Sequence, residues 1–213
     1  MVYLPPAFSE TRTELLIEHI ERHEFGLLVS HGDEGMIASQ IPFLVERRDG
    51  GLYLLGHLAR ANPQGADLEG DSEALAIFEG PHAYISPSWY GAGPAVPTWN
   101  YAAVHAYGAA HTIADPDWLR DFVHRLTERH EGREPTPPWR VQDLPEPYLR
   151  SMLNAIVGVE IAVTRLDGKF KLSQNRPAAD RPRIIAALER RADPDSQAVA
   201  RLMREREPAS RKP

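Results

Sequence analysis

The segment Gly56–Gln64, with sequence GHLARANPQ, brings together residues that can bind a phosphate group. Asn62 suits the N-cap of a short helix and Pro63 suits its first position, so backbone N–H groups would be exposed there. Such groups attract anions, and His57 and Arg60 would add a ring donor and a positive charge. The spacing predicts a phosphate-binding corner, with an ordinary strand-to-turn connection as the alternative.

A second candidate is the segment Val96–Gly108, in which aromatic and polar residues alternate from Thr98 onward. Because successive side chains of a strand point to opposite faces, one face is predicted to carry Trp99, Tyr101, Ala103, His105 and Tyr107. The other face offers a hydroxyl from Thr98 and an amide from Asn100 at its rim. A planar heterocycle packs on aromatic rings and takes hydrogen bonds at its edge. The alternative is a barrel strand whose aromatic rings fill the core.

The third candidate is the segment 169–176, KFKLSQNR, which clusters three cations with Ser, Gln and Asn. Lys171, Ser173 and Asn175 fall on one alternating face. This pattern predicts either a binding site for an anionic group or an edge strand that lysines protect against aggregation.

Other chemistries have little support in the sequence. The chain has no cysteine, so thiolate metal sites and a cysteine nucleophile are excluded, and redox chemistry would need a bound cofactor. His19 and His23 share a helix face without an HExxH motif, and we expect two exposed histidines rather than metal ligands. Neither GxGxxG nor GxxxxGK[ST] follows a strand, and no serine lies in a nucleophile elbow.

The elements that position these residues are mostly short strands. Alternating patterns predict strands at 25–31, 36–45, 52–56, 74–79, 82–86, 99–113, 156–166 and 169–172. Asp167-Gly168 reads as the clearest hairpin turn. Helices are predicted near 11–23, 116–131, 148–154, 180–191 and 195–206. This order predicts a mainly β protein, a closed or partly closed antiparallel barrel with peripheral helices.

Charge and hydropathy limit the partners of this 213-residue chain. The net charge is −6, but residues 178–213 hold nine Arg or Lys against six Asp or Glu, which leaves the remainder near −9. An acidic body is a poor nucleic-acid binder. We find no apolar run long enough to span a membrane and no secretory signal pattern, so a cytoplasmic location is expected.

Several separated runs resemble PaiB-type proteins, which are described as FMN-binding negative transcriptional regulators. The runs are Tyr3–Phe8, Gly56–Pro63, Tyr84–Tyr90, Val96–Tyr101, Val104–Gly108 and Lys171–Arg176. The resemblance extends from Tyr3 to about Arg176. It implies an FMN-binding split-barrel domain at 1–176, related to pyridoxamine-phosphate oxidases, and a helical appendage at 177–213.

The resemblance also implies a cofactor, a partner and a site. FMN would lie at the interface of a homodimer, with its phosphate held by His57, Arg60 and Asn62. Ser39 and Gln40 would lie on a strand that lines the flavin. The residues that would complete the site are Thr98, Trp99, Asn100, His105, Gln174, Asn175 and Arg176.

Three functions follow from this family. The first is an FMN-binding sensor or transcriptional regulator, although the sequence has no helix-turn-helix and no basic face to support DNA as a partner. The second is an FMN-dependent oxidoreductase of the pyridoxamine-phosphate oxidase or flavin reductase type, in which His105 or Tyr107 would move protons. The third is a haem-related activity. The residues assign no catalytic group and no metal.

Overall fold

The computed structural model of the protein describes residues 2–33, 35–70, 72–91, 93–134 and 139–206. Its strands are β1 (Ser9–Glu10), β2 (Phe25–Gly32), β3 (Gly35–Pro42), β4 (Leu44–Arg48), β5 (Gly51–Ala59), β6 (Ser72–Ile85), β7 (Thr98–Ile113) and β8 (Ile156–Lys171). They form one sheet in the order β3-β2-β6-β7-β8-β5-β4, with β1 paired to β8. The pairs β2–β3, β2–β6, β4–β5, β5–β8 and β1–β8 are antiparallel.

The helices are α1 (Thr13–Arg22), α2 (Gln64–Asp67), α3 (Pro116–Glu131), α4 (Glu146–Asn154), α5 (Asp180–Glu189) and α6 (Pro194–Glu205). The start of α3 is as predicted, because the side chain of Asp115 accepts a hydrogen bond from the backbone N–H of Trp118 at 2.7 Å. Within the described residues, no helix is both long and apolar enough to cross a membrane. The prediction of a mainly β antiparallel fold with peripheral helices is confirmed.

The turn between β4 and β5 is a true hairpin. Arg48 pairs with Gly51, and the two residues between them, Asp49 and Gly50, have φ angles of 52° and 76°. Positive φ at both central positions is the type I′ geometry that matches the twist of the two strands. The hairpin between β2 and β3 is also confirmed. The strand predicted at 36–45, however, is interrupted at Phe43, whose N–H donates to the carbonyl of Glu24.

The hairpin predicted at Asp167-Gly168 is wrong. β8 runs through both residues as one strand, and Gly168 pairs with Glu10 of β1. A Cβ on Gly168 would lie 2.2 Å from Cδ2 of Leu16 and 3.0 Å from the carbonyl oxygen of Glu10. The glycine is therefore needed for the close approach of β1 and α1, a tertiary contact that mimics a turn signal in the sequence.

The break predicted at Gly80-Pro81 is also wrong, because β6 is continuous from Ser72 to Ile85. The buried side chains are Ala74, Ala76 and Phe78 before this point, and Ala83 and Ile85 after it. The phase of burial thus shifts by one residue. Gly80 and Pro81 mark that shift rather than the end of a strand.

Helix α1 begins at Thr13, two residues later than predicted, and it buries one of the two histidines expected to be exposed. His19 is only 6% exposed, and its ring meets the edge of Phe170 at a centroid distance of 5.3 Å. The sequence-based expectation for His19 was wrong because the buried face of α1 is wider than its leucine and isoleucine positions alone suggest.

The chain divides into two compact units. The first contains Met1–His19, Glu79–Val104 and Asp167–Pro213, and the second contains Ile20–Phe78 and His105–Leu166. In the first unit, α5 and α6 bury apolar side chains at Ile184, Leu188, Val199 and Met203. In the second, Phe122 of α3 is buried with Leu44 and Leu55, and Trp118 stacks on Phe122 at a centroid distance of 5.3 Å.

Candidate functional site

The phosphate-binding corner predicted in the second unit is a hydrogen-bonded turn. Asn62 donates from Nδ2 to Oγ of Ser39 at 3.0 Å, and its Oδ1 accepts from the backbone N–H of Gln64 at 3.0 Å. Gln64 then donates from Nε2 to the carbonyl oxygens of Leu28 and Ile37. The corner after β5 is thereby fixed to the β2–β3 hairpin, with Ser39 and Asn62 in direct contact.

His57 and Arg60 lie at the end of β5 but have different surroundings. The ring of His57 packs against Phe122 at a centroid distance of 5.6 Å, and burial lowers the pKa of its imidazole. Arg60 is exposed and donates from Nε and Nη2 to the carbonyl oxygens of Asn154 and Ile156, at 2.7 and 2.8 Å. Arg60 thus holds the junction of α4 and β8. Gln40, which the resemblance places beside the flavin, is an exposed residue of β3.

Strand β7 alternates as predicted, but the face opposite the aromatic residues is the buried one. Asn100, Ala102, Val104 and Ala106 are buried, whereas Trp99 is 52% exposed. Trp99 meets the rings of His82 at 5.9 Å and Tyr84 at 6.0 Å. The alternative that these aromatic residues fill the core therefore does not hold for Trp99.

Asn100 belongs to a buried polar pair rather than to a rim. Its amide nitrogen donates to Oγ of Ser173 at 3.0 Å, and the Ser173 hydroxyl donates back to its amide oxygen at 3.1 Å. Thr98 accepts a hydrogen bond from Nζ of Lys171. Thr98, Trp99 and Asn100 fall in the first unit, and His105, 6.4 Å from the ring of Tyr107, falls in the second.

The three residues predicted after β8 have distinct roles in the first unit. Oε1 of Gln174 accepts from the N–H of Leu172 at 2.7 Å, and its Nε2 donates to the carbonyl of Phe170. Asn175 is exposed. The guanidinium carbon of Arg176 lies 4.3 Å from the ring centroid of Tyr90.

Two residues with buried or half-buried polar groups lie outside the FMN site that the resemblance implies. Gln64 is fully buried at the corner, and only its place two residues after Asn62 in a polar motif could have pointed to it. Lys171 is half-buried, and its neighbours Lys169 and Arg176 were visible in the sequence as a cluster of cations. Within the described part of the chain, no three His, Asp or Glu side chains form a candidate metal site.

The corner in the second unit fits a ligand with both donors and acceptors. Nδ1 of His57 and Oε1 of Gln64 are buried without a hydrogen-bond partner among the described residues. Buried polar atoms are normally satisfied, so each of these two atoms lacks a partner that a bound molecule would supply. A phosphate ester with a hydroxylated chain, such as FMN, supplies acceptors for a ring N–H and donors for an amide oxygen. When bound, FMN supplies the chemistry of a redox-active flavin ring.

Comparisons with known proteins identify the family. Residues 2–165 match the family model described as "Putative FMN-binding domain". The chain is 35% identical to "Protease synthase and sporulation protein PAI 2" of Bacillus subtilis over 96% of this chain and 98% of that protein. It is 31% identical to a protein of Emericella nidulans over 96% of this chain and 97% of that protein.

A solved structure supports the fold. The FAD and heme binding protein from Mycobacterium smegmatis superposes with a TM-score of 0.59 at 19% identity, covering 84% of this chain and 79% of that chain. At this identity the likeness concerns the fold alone. The predictions of a split β-barrel and of FMN as cofactor are confirmed. The chain belongs to the FMN-binding family, as a PaiB-type split β-barrel protein whose cofactor is FMN.

Proposed function

We propose that this protein is an FMN-dependent sensor or transcriptional regulator that works as a cytoplasmic homodimer. The Bacillus subtilis relative is named for protease synthesis and sporulation. The regulatory role is the one that the resemblance to PaiB-type proteins implies. The observation on which the proposal depends is the hydrogen-bonded corner of Ser39, Asn62 and Gln64. The family model spans it, and Oε1 of Gln64 is buried there without a hydrogen-bond partner among the described residues.

In this proposal the FMN phosphate binds at the corner. His57 donates from its ring, and Arg60 supplies a positive charge through Nη1, the guanidinium nitrogen that donates to no carbonyl of the described residues. Ser39 and Asn62 support the turn. Gln40 on β3 contacts the flavin, and the remaining residues that the resemblance implies stay predictions.

The homodimer is supported by an exposed apolar surface on the second unit. On one face of the β2–β3 hairpin, Phe25 is 67% exposed and Met36 is 73% exposed. Leu27 and Val29 lie on the same face, and they pair with Ile77 and Leu75 of β6. One face of an antiparallel sheet is normally polar where it meets water, so an apolar face of this kind favours a second copy of the chain.

A fluorescence titration of the full chain with FMN tests the phosphate corner. Arg60→Ala is expected to weaken FMN binding by about ten- to a hundred-fold, or about 1.5–3 kcal/mol, because a charge-assisted contact to phosphate is lost. Arg60→Lys separates the two roles of this residue. It keeps the positive charge but loses the fork to two carbonyls, so it should retain most of the affinity while lowering the melting temperature.

The exposed Arg201 of α6 provides the matched control, since Arg201→Ala removes an equal charge far along the chain from the corner. An unchanged dissociation constant for Arg60→Ala would remove Arg60 from the phosphate site.

A further inference from the structure

Three cations meet at the end of β8 in the first unit. Lys169 and Lys171 are two residues apart on one strand, so their side chains share a face, and both are half-buried. Arg176 follows after a turn and is also half-buried. We call these three residues the cation cluster.

Every contact of the cation cluster is with a neutral group. Nζ of Lys171 donates to the hydroxyl of Thr98, and Nζ of Lys169 donates to the carbonyl oxygen of Tyr3 at 2.7 Å. Arg176 lies over the ring of Tyr90. In the described ranges, no carboxylate forms an ion pair with any of the three.

Many of the other basic side chains among the described residues form ion pairs with carboxylates. Arg12 bonds to Glu10, Arg48 to Glu160 and Arg204 to Glu189. Carboxylates are thus abundant, with 30 Asp and Glu against 24 Lys and Arg, yet none of those that the structure describes forms an ion pair with the cluster. Half-buried cations without counter-charges are unfavourable in a folded protein, which makes a structural role a poor explanation.

The pKa of Lys171 reflects the unfavourable surroundings of its ammonium group. Burial lowers the pKa of its ammonium group, and the positive charges of Lys169 and Arg176 lower it further. An anion bound among the three cations would offset both the cost of burying the ammonium group and the repulsion between the positive charges.

Protection of a sheet edge is the weaker account of Lys169. The ladder between β5 and β8 ends at Ala162, and beyond it Lys169 is paired with Ser9 of β1. Lysines that discourage aggregation belong on edge strands, where backbone groups are unpaired. The pairing with β1 therefore favours the other explanation of this segment, a binding site for an anionic group.

The turn that follows Lys171 is fixed from several sides. Ser173 has a φ of 62°, a conformation uncommon outside glycine, and its hydroxyl is locked to Asn100. Arg181 donates to the carbonyl oxygen of Leu172 at 2.9 Å. A strained and heavily bonded turn holds Arg176 in place, and such strain is often found at binding sites.

We propose that the cation cluster is a second anion-binding site, specific for a small phosphate-class dianion and built from residues other than those proposed to hold the flavin phosphate. The corner proposed for FMN lies between residues 39 and 64, and the family model ends at residue 165, before the first of these cations. This inference gives Arg176 a ligand other than the flavin. It depends only on the first unit and not on the proposed regulatory function.

Calorimetric titration of the FMN-saturated full chain with inorganic phosphate tests this inference. Wild-type protein should bind one phosphate per chain, and Lys171→Met should weaken that binding at least about ten-fold while changing FMN affinity less than about two-fold. Acetate, a monoanion, should bind more weakly than phosphate. Arg176→Gln provides a second variant, and the exposed Arg201→Met is the matched control.

Stability gives an independent readout. Without phosphate, Lys171→Met should raise the melting temperature, because it removes a desolvated cation that lacks a counter-charge. Adding phosphate should raise the melting temperature of the wild type and leave that of Lys171→Met unchanged. If the chain bound no FMN, the same titrations on the FMN-free protein would still decide the matter.

Three results would overturn the inference. The first is an equal loss of FMN and phosphate affinity in Lys171→Met, which would place the flavin phosphate at the cluster. The second is phosphate binding that is the same in wild type and Lys171→Met. The third is tighter binding of acetate than of phosphate.

Discussion

His57 lies near the end of β5, ahead of the phosphate corner, and burial disfavours the charged form of its ring. Burial lowers its pKa below the ordinary value of 6.5, whereas the unfolded chain protonates at that ordinary value. Between the lowered pKa and 6.5 the unfolded state binds more protons, so stability is present above this window and is lost as the pH falls through it.

We therefore expect His57→Gln to reduce the loss of folding stability as the pH falls. Urea midpoints measured between pH 7.5 and pH 5 should fall less steeply in His57→Gln than in the wild type. His82→Gln, which changes an exposed histidine of β6 in the other unit, is the matched control. Parallel profiles for wild type and His57→Gln would show that this imidazole does not contribute.

Two Asp-Gly sites with the same local sequence allow a test of the strand and turn assignments. Gly50 sits in a true hairpin with φ of 76° and open space around it, whereas Gly168 sits inside β8 against Leu16 and Glu10. Asn tolerates positive φ better than other residues with side chains do, but it cannot fit where a Cβ would lie 2.2 Å from another atom.

Gly50→Asn is accordingly expected to cost less than about 1 kcal/mol, and Gly168→Asn about 1–3 kcal/mol from overpacking. Chemical denaturation of the two variants and the wild type measures both. Equal, small losses would mean that β8 bends at Asp167-Gly168 after all and that α1 does not approach this closely.

The two Asp-Gly sites also show how much of the fold the sequence could predict. Asp49-Gly50 and Asp167-Gly168 look alike locally, and only the tertiary contact of Gly168 with β1 and α1 separates them. The corner was predictable because the hydrogen bond between Asn62 and the N–H of Gln64 joins residues only two positions apart. The contacts of Asn62 with Ser39 and of Asn100 with Ser173 cross 23 and 73 residues, and no local spacing encodes them.

For the whole molecule we expect a dimer. Light scattering should give about twice the chain mass of 23.9 kDa, since the apolar face around Phe25 and Met36 needs a cover. Met36→Glu places a charge on that face and should shift the protein toward monomer. Tyr148→Glu, at a residue 53% exposed on α4, is the control that should stay dimeric. A monodisperse monomer at micromolar concentration with FMN present would contradict the homodimer.

DNA binding is expected to be weak. The net charge of −6 repels phosphates, and the arginines of residues 178–213 are interspersed with acids. Electrophoretic shifts at physiological salt, with and without FMN, should show no complex at nanomolar concentration. A sequence-specific complex there would reverse this view. Arg190→Glu and Arg201→Glu would then test the tail, because deleting α5 and α6 would also expose the apolar side chains that they bury.

The way the first unit is assembled from three separate stretches bears on how the protein is made. All residues of the second unit have been synthesised once the ribosome passes Leu166. In the first unit, Ser9 can pair only after Lys169 has been synthesised. Asn100 can likewise contact Ser173 and Met203 only after those residues have been synthesised. At roughly 5–20 residues per second, translation from Asp167 to Arg206 takes a few seconds. During that interval the amino-terminal segment has left the ribosome without its strand partner. The emerging chain is therefore expected to need chaperone protection late in translation rather than early.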